Sequence, residues 1–287
     1  MSNSVQRFLF DDLDIRGAIV RLDSVWEKMM SGRSYPEPVV CLLGQMSAIT
    51  LLLADNLKQP GRLTVQMRGD GPVSLMVIDC NEQLNIRCMA HHAEQIAAAP
   101  LIELLGKGQL LLSLDAQPMR EPYQSIVPLD GENITQVFEH YLKQSEQLSS
   151  RFFLAATSSR IAGLFLQKMP STDERDPDGW NRIEALASTV KPEELADLTN
   201  EDLLNRLFPE ETIRLFKTQP ITNDCPKDWN KVGNILLTLG REEVYANLKE
   251  HGTIVINDEL SNLEYRFTSS DIDELFSRVP ETSKTVH

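Results

Sequence analysis

Four cysteines, Cys41, Cys80, Cys88 and Cys225, are the softest ligands and strongest nucleophiles of this 287-residue chain. No two of them stand at a spacing that makes a zinc knuckle or a redox pair. In a reducing compartment Cys41, Cys80 and Cys88 read as small buried hydrophobes. Cys225 opens the run Cys225-Pro226-Lys227-Asp228, where a cation and a carboxylate follow a thiol closely. His91-His92 is the one adjacent imidazole pair; its side chains diverge, which assigns it to a surface or turn. The carboxylates of Asp11-Asp12-Leu13-Asp14 read as a solvated loop. Gly69-Asp70-Gly71-Pro72 reads as a hairpin turn and not as a phosphate cradle, and neither a Walker loop nor a Gly-x-Ser-x-Gly elbow occurs. An enzyme has no positive support.

The elements that must position these groups divide the chain in three. Over 1–170 strand signals predominate: 16–22, the hairpin of 62–68 with 73–79, 84–90 as a third strand, then 106–115 with 123–129, 152–156 and 160–169. Two helices cross between them. The segment 38–58 is apolar nearly all round, which implies burial on most faces, and 133–148 follows the second strand pair. The expected class is α+β, a large strand-rich domain with crossing helices. A bond between Cys80 and Cys88 is rejected, because a turn at 81–83 sets them several residues out of register.

From 171 to 222 the composition becomes polar and helical, reading as a connector. Trp180, Ile183, Leu186, Ala187 and Val190 mark one amphipathic helix. Thr199 to Asp202 reads as a capping start for Leu203, Leu204, Leu207 and Phe208. Pro209-Glu210-Glu211 reads as the opening of a further short helix. These narrow apolar faces are suited to detaching and reattaching at low cost. The last domain, 223–287, carries a Leu-rich helix from 235 and two β-like runs at 253–256 and 265–267.

Charge and hydropathy narrow the partners. A net charge of -14 without Lys/Arg clusters argues against nucleic acid. The start, Met1 to Arg7, is polar, and apolar runs such as 49–54 are too brief to span a bilayer. Cytoplasm, with no membrane partner, is the expectation.

The order of the motifs from about Ile15 to Phe276 resembles the 33-kDa heat-shock chaperonin family of oxidation-activated holdases. Gly61-x-Leu63-Thr64, Gln66, Gly69-x-Gly71-Pro72 and the preceding Leu57-Lys58 fit its N-terminal hairpin. Leu105-Gly106-Lys107-Gly108 and Tyr123-Gln124 fit its middle strands. Tyr141-x-x-x-Ser145-Glu146-Gln147-Leu148 is the most distinctive match, and Ala162 to Pro170 resembles its Gly-Gly-Leu-Leu-Leu-Gln run. Leu203-Leu204-x-Arg206-Leu207-Phe208 fits the linker, Glu243-Val244 and Tyr265-x-Phe267 the redox-switch domain. The resemblance implies an ATP-independent holdase that binds unfolding clients through hydrophobic surface, and a homodimer. It assigns client binding to the linker, with Trp180, Ile183, Leu186, Leu203, Leu204, Leu207 and Phe208 as candidates.

The departures are as specific. The family's Cys-x-Cys and Cys-x-x-Cys zinc ligands align here with Cys225, Lys227, Asp258 and Ser261. A closed zinc site needs four ligands; serine is a poor one, and a lysine cation repels the metal. The expectation is therefore no cofactor and no switching by zinc or paired disulfides. Ile235, Leu236, Leu239, Val244, Leu248, Ile254, Ile256, Leu260, Tyr265 and Phe267 offer an apolar core in the metal's place, and Lys227 is expected to pair with Asp258. With oxidation unable to act in the family's way, either the tail is unlocked from the start or another stress such as heat or acid opens it. The first is favoured, since loss of a metal clamp eases local unfolding. The alternative reading is an adaptor whose linker never opens.

Overall fold

The computed structural model describes residues 3–57, 59–116 and 121–277. Lys58 of the hairpin match, Met1 and Ser2 of the N-terminal reading and the tail 278–287 lie outside those residues. The chain separates into two compact units, Met1–Asp224 and Cys225–His287.

In the first unit β1 (Ser4–Phe10) and β2 (Ile15–Leu22) form a hairpin, followed by α1 (Ser24–Met30) and α2 (Glu37–Asp55). The meander β3 (Gly61–Gly69), β4 (Val73–Cys80) and β5 (Ile86–His92) comes next. Short α3 (Leu101–Leu105) leads to β6 (Gly108–Ala116), β7 (Tyr123–Pro128) and α4 (Ile134–Ser145). A last hairpin, β8 (Ser150–Ala156) and β9 (Ile161–Lys168), precedes α5 (Thr172–Arg175), α6 (Gly179–Ala187), α7 (Pro192–Asp197) and α8 (Asn200–Leu207). Two short strands, β10 (Ile213–Leu215) and β11 (Gln219–Pro220), return to β1. The strands build two antiparallel sheets, β10-β1-β2-β9-β8 and β5-β4-β3-β6-β7.

Helix α2 packs against strands of both sheets. Its apolar residues need burial on nearly every side, and a helix between two sheets is the arrangement that supplies it. By length and composition its 19 residues are also enough to cross a membrane, which the brevity of the individual apolar runs conceals. Here they are the centre of a protein core.

Several expectations change. The stretch at Pro209 is a turn leading to β10 rather than a helix. The expected hairpin turn at 69–72 does join β3 to β4, without positive φ at either glycine; a Cβ on Gly69 would lie 1.8 Å from the Leu105 carbonyl oxygen, so close backbone approach is what demands glycine there. Cys80 stands opposite Ile86, and Cys88 opposite Ile78. The two thiols are therefore only one diagonal apart, closer than the sequence register implied, yet both are free. Burial pushes each up to about 12, so neither holds an appreciable thiolate at neutral pH.

The second unit comprises α9 (Trp229–Leu239), α10 (Arg241–His251), β12 (Ile254–Asp258), β13 (Leu263–Phe267) and α11 (Ser269–Ser277). Its core is Val232, Leu236, Val244, Leu248, Ile254, Tyr265, Phe267 and Ile272. Ile235 and Leu239, expected inside, are 47% and 51% exposed. The buried stripe of α9 runs instead through Val232, Gly233 and Leu236. Gly233 lets α11 close on it: a Cβ there would sit 3.0 Å from Leu275 Cδ1.

Candidate functional site

The four positions that the sequence resemblance sets against zinc ligands, Cys225, Lys227, Asp258 and Ser261, lie at the start of the second unit and around its β12–β13 turn. Asp258 Oδ1 accepts the Ser261 N–H at 3.2 Å, which closes the turn locally. Asp258 Oδ2 faces Lys231 Nζ on α9 at 3.5 Å. Lys227 does not take that role. Its ammonium lies over two rings, 5.4 Å from the centre of Trp229 and 5.5 Å from that of Tyr265. The expected Lys227–Asp258 pair is thus replaced by a cation on an aromatic pair and by a different lysine on the carboxylate. Cys225 is half-buried.

Around that cation the segment before α9 is tied to β13. Asp228 N–H donates to Tyr265 Oη at 3.0 Å, while the Asp228 carboxylate caps the helix by accepting Lys231 N–H at 2.9 Å. Trp229 meets Tyr265 and Phe267 edge to face at 5.2 and 5.4 Å. The donor chemistry does not fit zinc: one thiol, a carboxylate already engaged, a hydroxyl and a cation. Among the described residues no cluster of three or more His, Cys, Asp or Glu is placed to hold a metal.

The second candidate region is 171–222. Its helices lie on one face of the first sheet, opposite the face that meets α2. Trp180, Ile183, Leu203, Leu204, Leu207 and Phe208 are buried with Phe8, Phe10, Ile15, Ile19, Leu164 and Leu166 of the strands, and Leu186 is half-buried beside them. Phe208 meets Phe10 edge to face at 5.0 Å. Thr199 Oγ1 accepts the Asp202 N–H at 3.1 Å and starts α8.

Polar ties fix the same segment. Arg21, 6% exposed on β2, donates from Nε to Asn200 Oδ1 at 2.9 Å and from Nη1 to the Ala196 carbonyl at 2.8 Å. Its remaining Nη2 is buried without a partner, and burial holds the guanidinium below its ordinary pKa. Arg160 pairs with Asp197 at 2.6 Å, and Arg151 with Glu184 at 2.5 Å and Glu139 at 2.9 Å. The sequence reading missed Arg21; its signal is one arginine inside the apolar run 18–22.

The profile of the family described as Hsp33 protein matches residues 3–268. The chain belongs to the Hsp33 family. A 33 kDa chaperonin of Methylobacillus flagellatus is 40% identical over 279 residues, covering 96% of this chain and 95% of the relative. One of Pseudomonas putida strain GB-1 is 40% identical over 280 residues, covering 95% and 93%. The crystal structure of the Hsp33 homologue of Thermotoga maritima superposes with a TM-score of 0.82 at 21% identity, covering 96% of this chain and 98% of that one, and shows the shared α+β fold. Membership of the Hsp33 family makes the chain a holdase molecular chaperone and not an enzyme, and unfolded proteins are the partners it binds.

Proposed function

We propose that this holdase captures unfolding proteins, without ATP, on the face of the first sheet that α6, α7 and α8 cover. The helices are a removable cover, released by thermal or chemical stress and not by zinc loss or disulfide formation. One observation carries the reading: the buried apolar residues of α6, α7 and α8, with Phe208, and those of the strands form a single buried cluster of their own, separate from the α2 core. Lifting the helices exposes a continuous apolar sheet face while the other side of the sheet stays packed on α2. Large exposed apolar surface is what an unfolding client binds.

The second unit is then held by its aromatic and polar ties, with no metal. Residues 223–287 contain one cysteine, so no disulfide can form within them. The favoured sequence expectation was a tail unlocked from the start; the extent of packing over 171–222 supports a stress-opened cover instead. Cytoplasmic residence, a homodimer, and the exclusion of nucleic acid and membrane remain part of this proposal, the last two supported by the acidic balance.

The test is limited proteolysis of the full-length protein at rising temperature, in parallel with client-aggregation assays. Cleavage within 171–222 and suppression of aggregation should rise together, below the temperature at which the sheets unfold. Suppression without any cutting of this segment would contradict the cover.

A further inference from the structure

An antiparallel strand bonds its neighbour through alternate residues, so an edge strand turns every second set of main-chain groups outward. At β8 the phase is fixed at both ends. Lys168 N–H donates to the Ser149 carbonyl at 2.9 Å, and Thr157 N–H to the Arg160 carbonyl at 2.8 Å. With Phe153 opposite Leu164 and Ala155 opposite Ala162, the odd-numbered residues bond β9. The groups of Phe152, Leu154 and Ala156 face away from the sheet.

Side chains already cap the two ends of this open edge. The Glu139 carboxylate accepts the Phe152 N–H at 2.9 Å, and the Cys41 thiol donates to the Ala156 carbonyl at 3.7 Å. Between the caps stand the Phe152 carbonyl, the Leu154 N–H and carbonyl, and the Ala156 N–H, in the alternating order of a strand ladder. The edge opens into a groove of about 300 Å³ lined by Thr135, Phe153, Leu154, Val190, Pro192 and Leu195.

We infer that an extended segment of the client adds to β8 as a further strand of the first sheet. The inference rests on the holdase reading and specifies how the client is held. Main-chain donors and acceptors in ladder order complement any extended backbone whatever its side chains, which is the feature unfolded chains share. Folded partners have spent theirs on their own helices and sheets. The added strand's side chains on one face continue the row of Phe153 and Ala155, the face the helical cover occupies, so strand addition and the proposed apolar surface are continuous. Val190, Pro192 and Leu195 belong to that cover, so its release widens the groove. A second copy of this chain is the competing occupant, and its docking would show as self-association in the absence of client.

Leu154→Pro removes the outward N–H and leaves the β8–β9 bonds in place, because proline is tolerated on an edge where its nitrogen faces out. Leu154→Ala keeps the N–H and removes the side chain. The probe is fluorescein-labelled, reduced and carboxymethylated α-lactalbumin, bound to the full-length protein at the temperature where chaperone activity begins. The inference predicts that Leu154→Pro weakens binding by up to about tenfold, the loss of one main-chain hydrogen bond, while Leu154→Ala stays within about threefold. Binding by Leu154→Pro equal to wild type overturns strand addition and leaves the holdase reading standing. A wild-type protein that ignores the probe overturns both. Self-association through β8, lost in Leu154→Pro, overturns the client as occupant. Hydrogen exchange on the wild type decides the case if the proline variant does not fold. Leu154 and Ala156 amides must gain protection when the probe binds, and unchanged exchange there refutes the inference.

Discussion

Lys227 stands over the Tyr265 ring, its ammonium 5.5 Å from the ring centre, at a position that the sequence resemblance sets against a zinc ligand. A cation there opposes a metal and favours an aromatic face. The segment before α9 is thereby joined to β13 by the two contacts a lysine and a tyrosine make best, the ammonium on the ring and the ring hydroxyl on a backbone N–H.

Trp229 completes that arrangement and is 47% exposed, so its removal tests the ring contacts more than core packing. Trp229→Ala should weaken the second unit by about 1–3 kcal/mol, the sum of edge-to-face and cation–π contributions. Faster hydrogen exchange of the α9 amides, with the first unit unchanged, is the expected readout.

Metal removal should do nothing. A zinc-held domain loses on the order of 10 kcal/mol of folding free energy when the metal is taken away. In this protein a strong zinc chelator should leave the thermal midpoint of the second unit unchanged, as followed by circular dichroism. A marked drop would show a metal site that the four aligned positions do not disclose.

Arg21 ties β2 to the α7–α8 turn. Arg21→Met leaves Asn200 Oδ1 and the Ala196 carbonyl without their donor, at a cost of about 2 kcal/mol to the packing of that segment. Proteolysis within 171–222 should then begin at lower temperature, and aggregation suppression with it.

Much of this arrangement is legible in the chain. The all-round apolar character of 38–58 announces a buried helix, and turn chemistry places the 61–80 hairpin. The cover over the first sheet also has a signal, though a less direct one: 18–20 and 161–166 are apolar without alternation, the mark of strands buried on both faces. What such a pattern lacks is the identity of the covering segment. Strand β1 was missed because it mixes charged and apolar residues, and β10 and β11 because they are three and two residues long and pair with β1 across some 200 positions. At the candidate site, adjacency of two aligned ligand positions pointed Lys227 to Asp258, whereas the aromatic two residues on, Trp229, was the better guide.

Asp55 gives the pH dependence. Its side chain is 3% exposed, faces Arg7 at 3.4 Å and accepts from Gln219 on β11 at 2.7 Å. Burial holds its pKa above the ordinary carboxylate value, against the pull of Arg7. A pKa raised on folding means the native state binds the proton more tightly, so this group's contribution to stability grows as pH falls through the folded pKa towards the unfolded one. Asp55→Asn, which keeps an acceptor for Gln219, should therefore flatten the acid limb of the stability profile, just above the ordinary carboxylate range of about pH 4. Urea titrations of both proteins across that range measure it. The sign also means that mild acid does not open the cover through Asp55.

The central claim is a holdase opened without thiol chemistry, and light scattering of a heated test client measures it most directly, with the protein first reduced and then treated with peroxide. Equal suppression of aggregation in both states, appearing as temperature rises, is the predicted result. Suppression that appears only after oxidation would contradict the account.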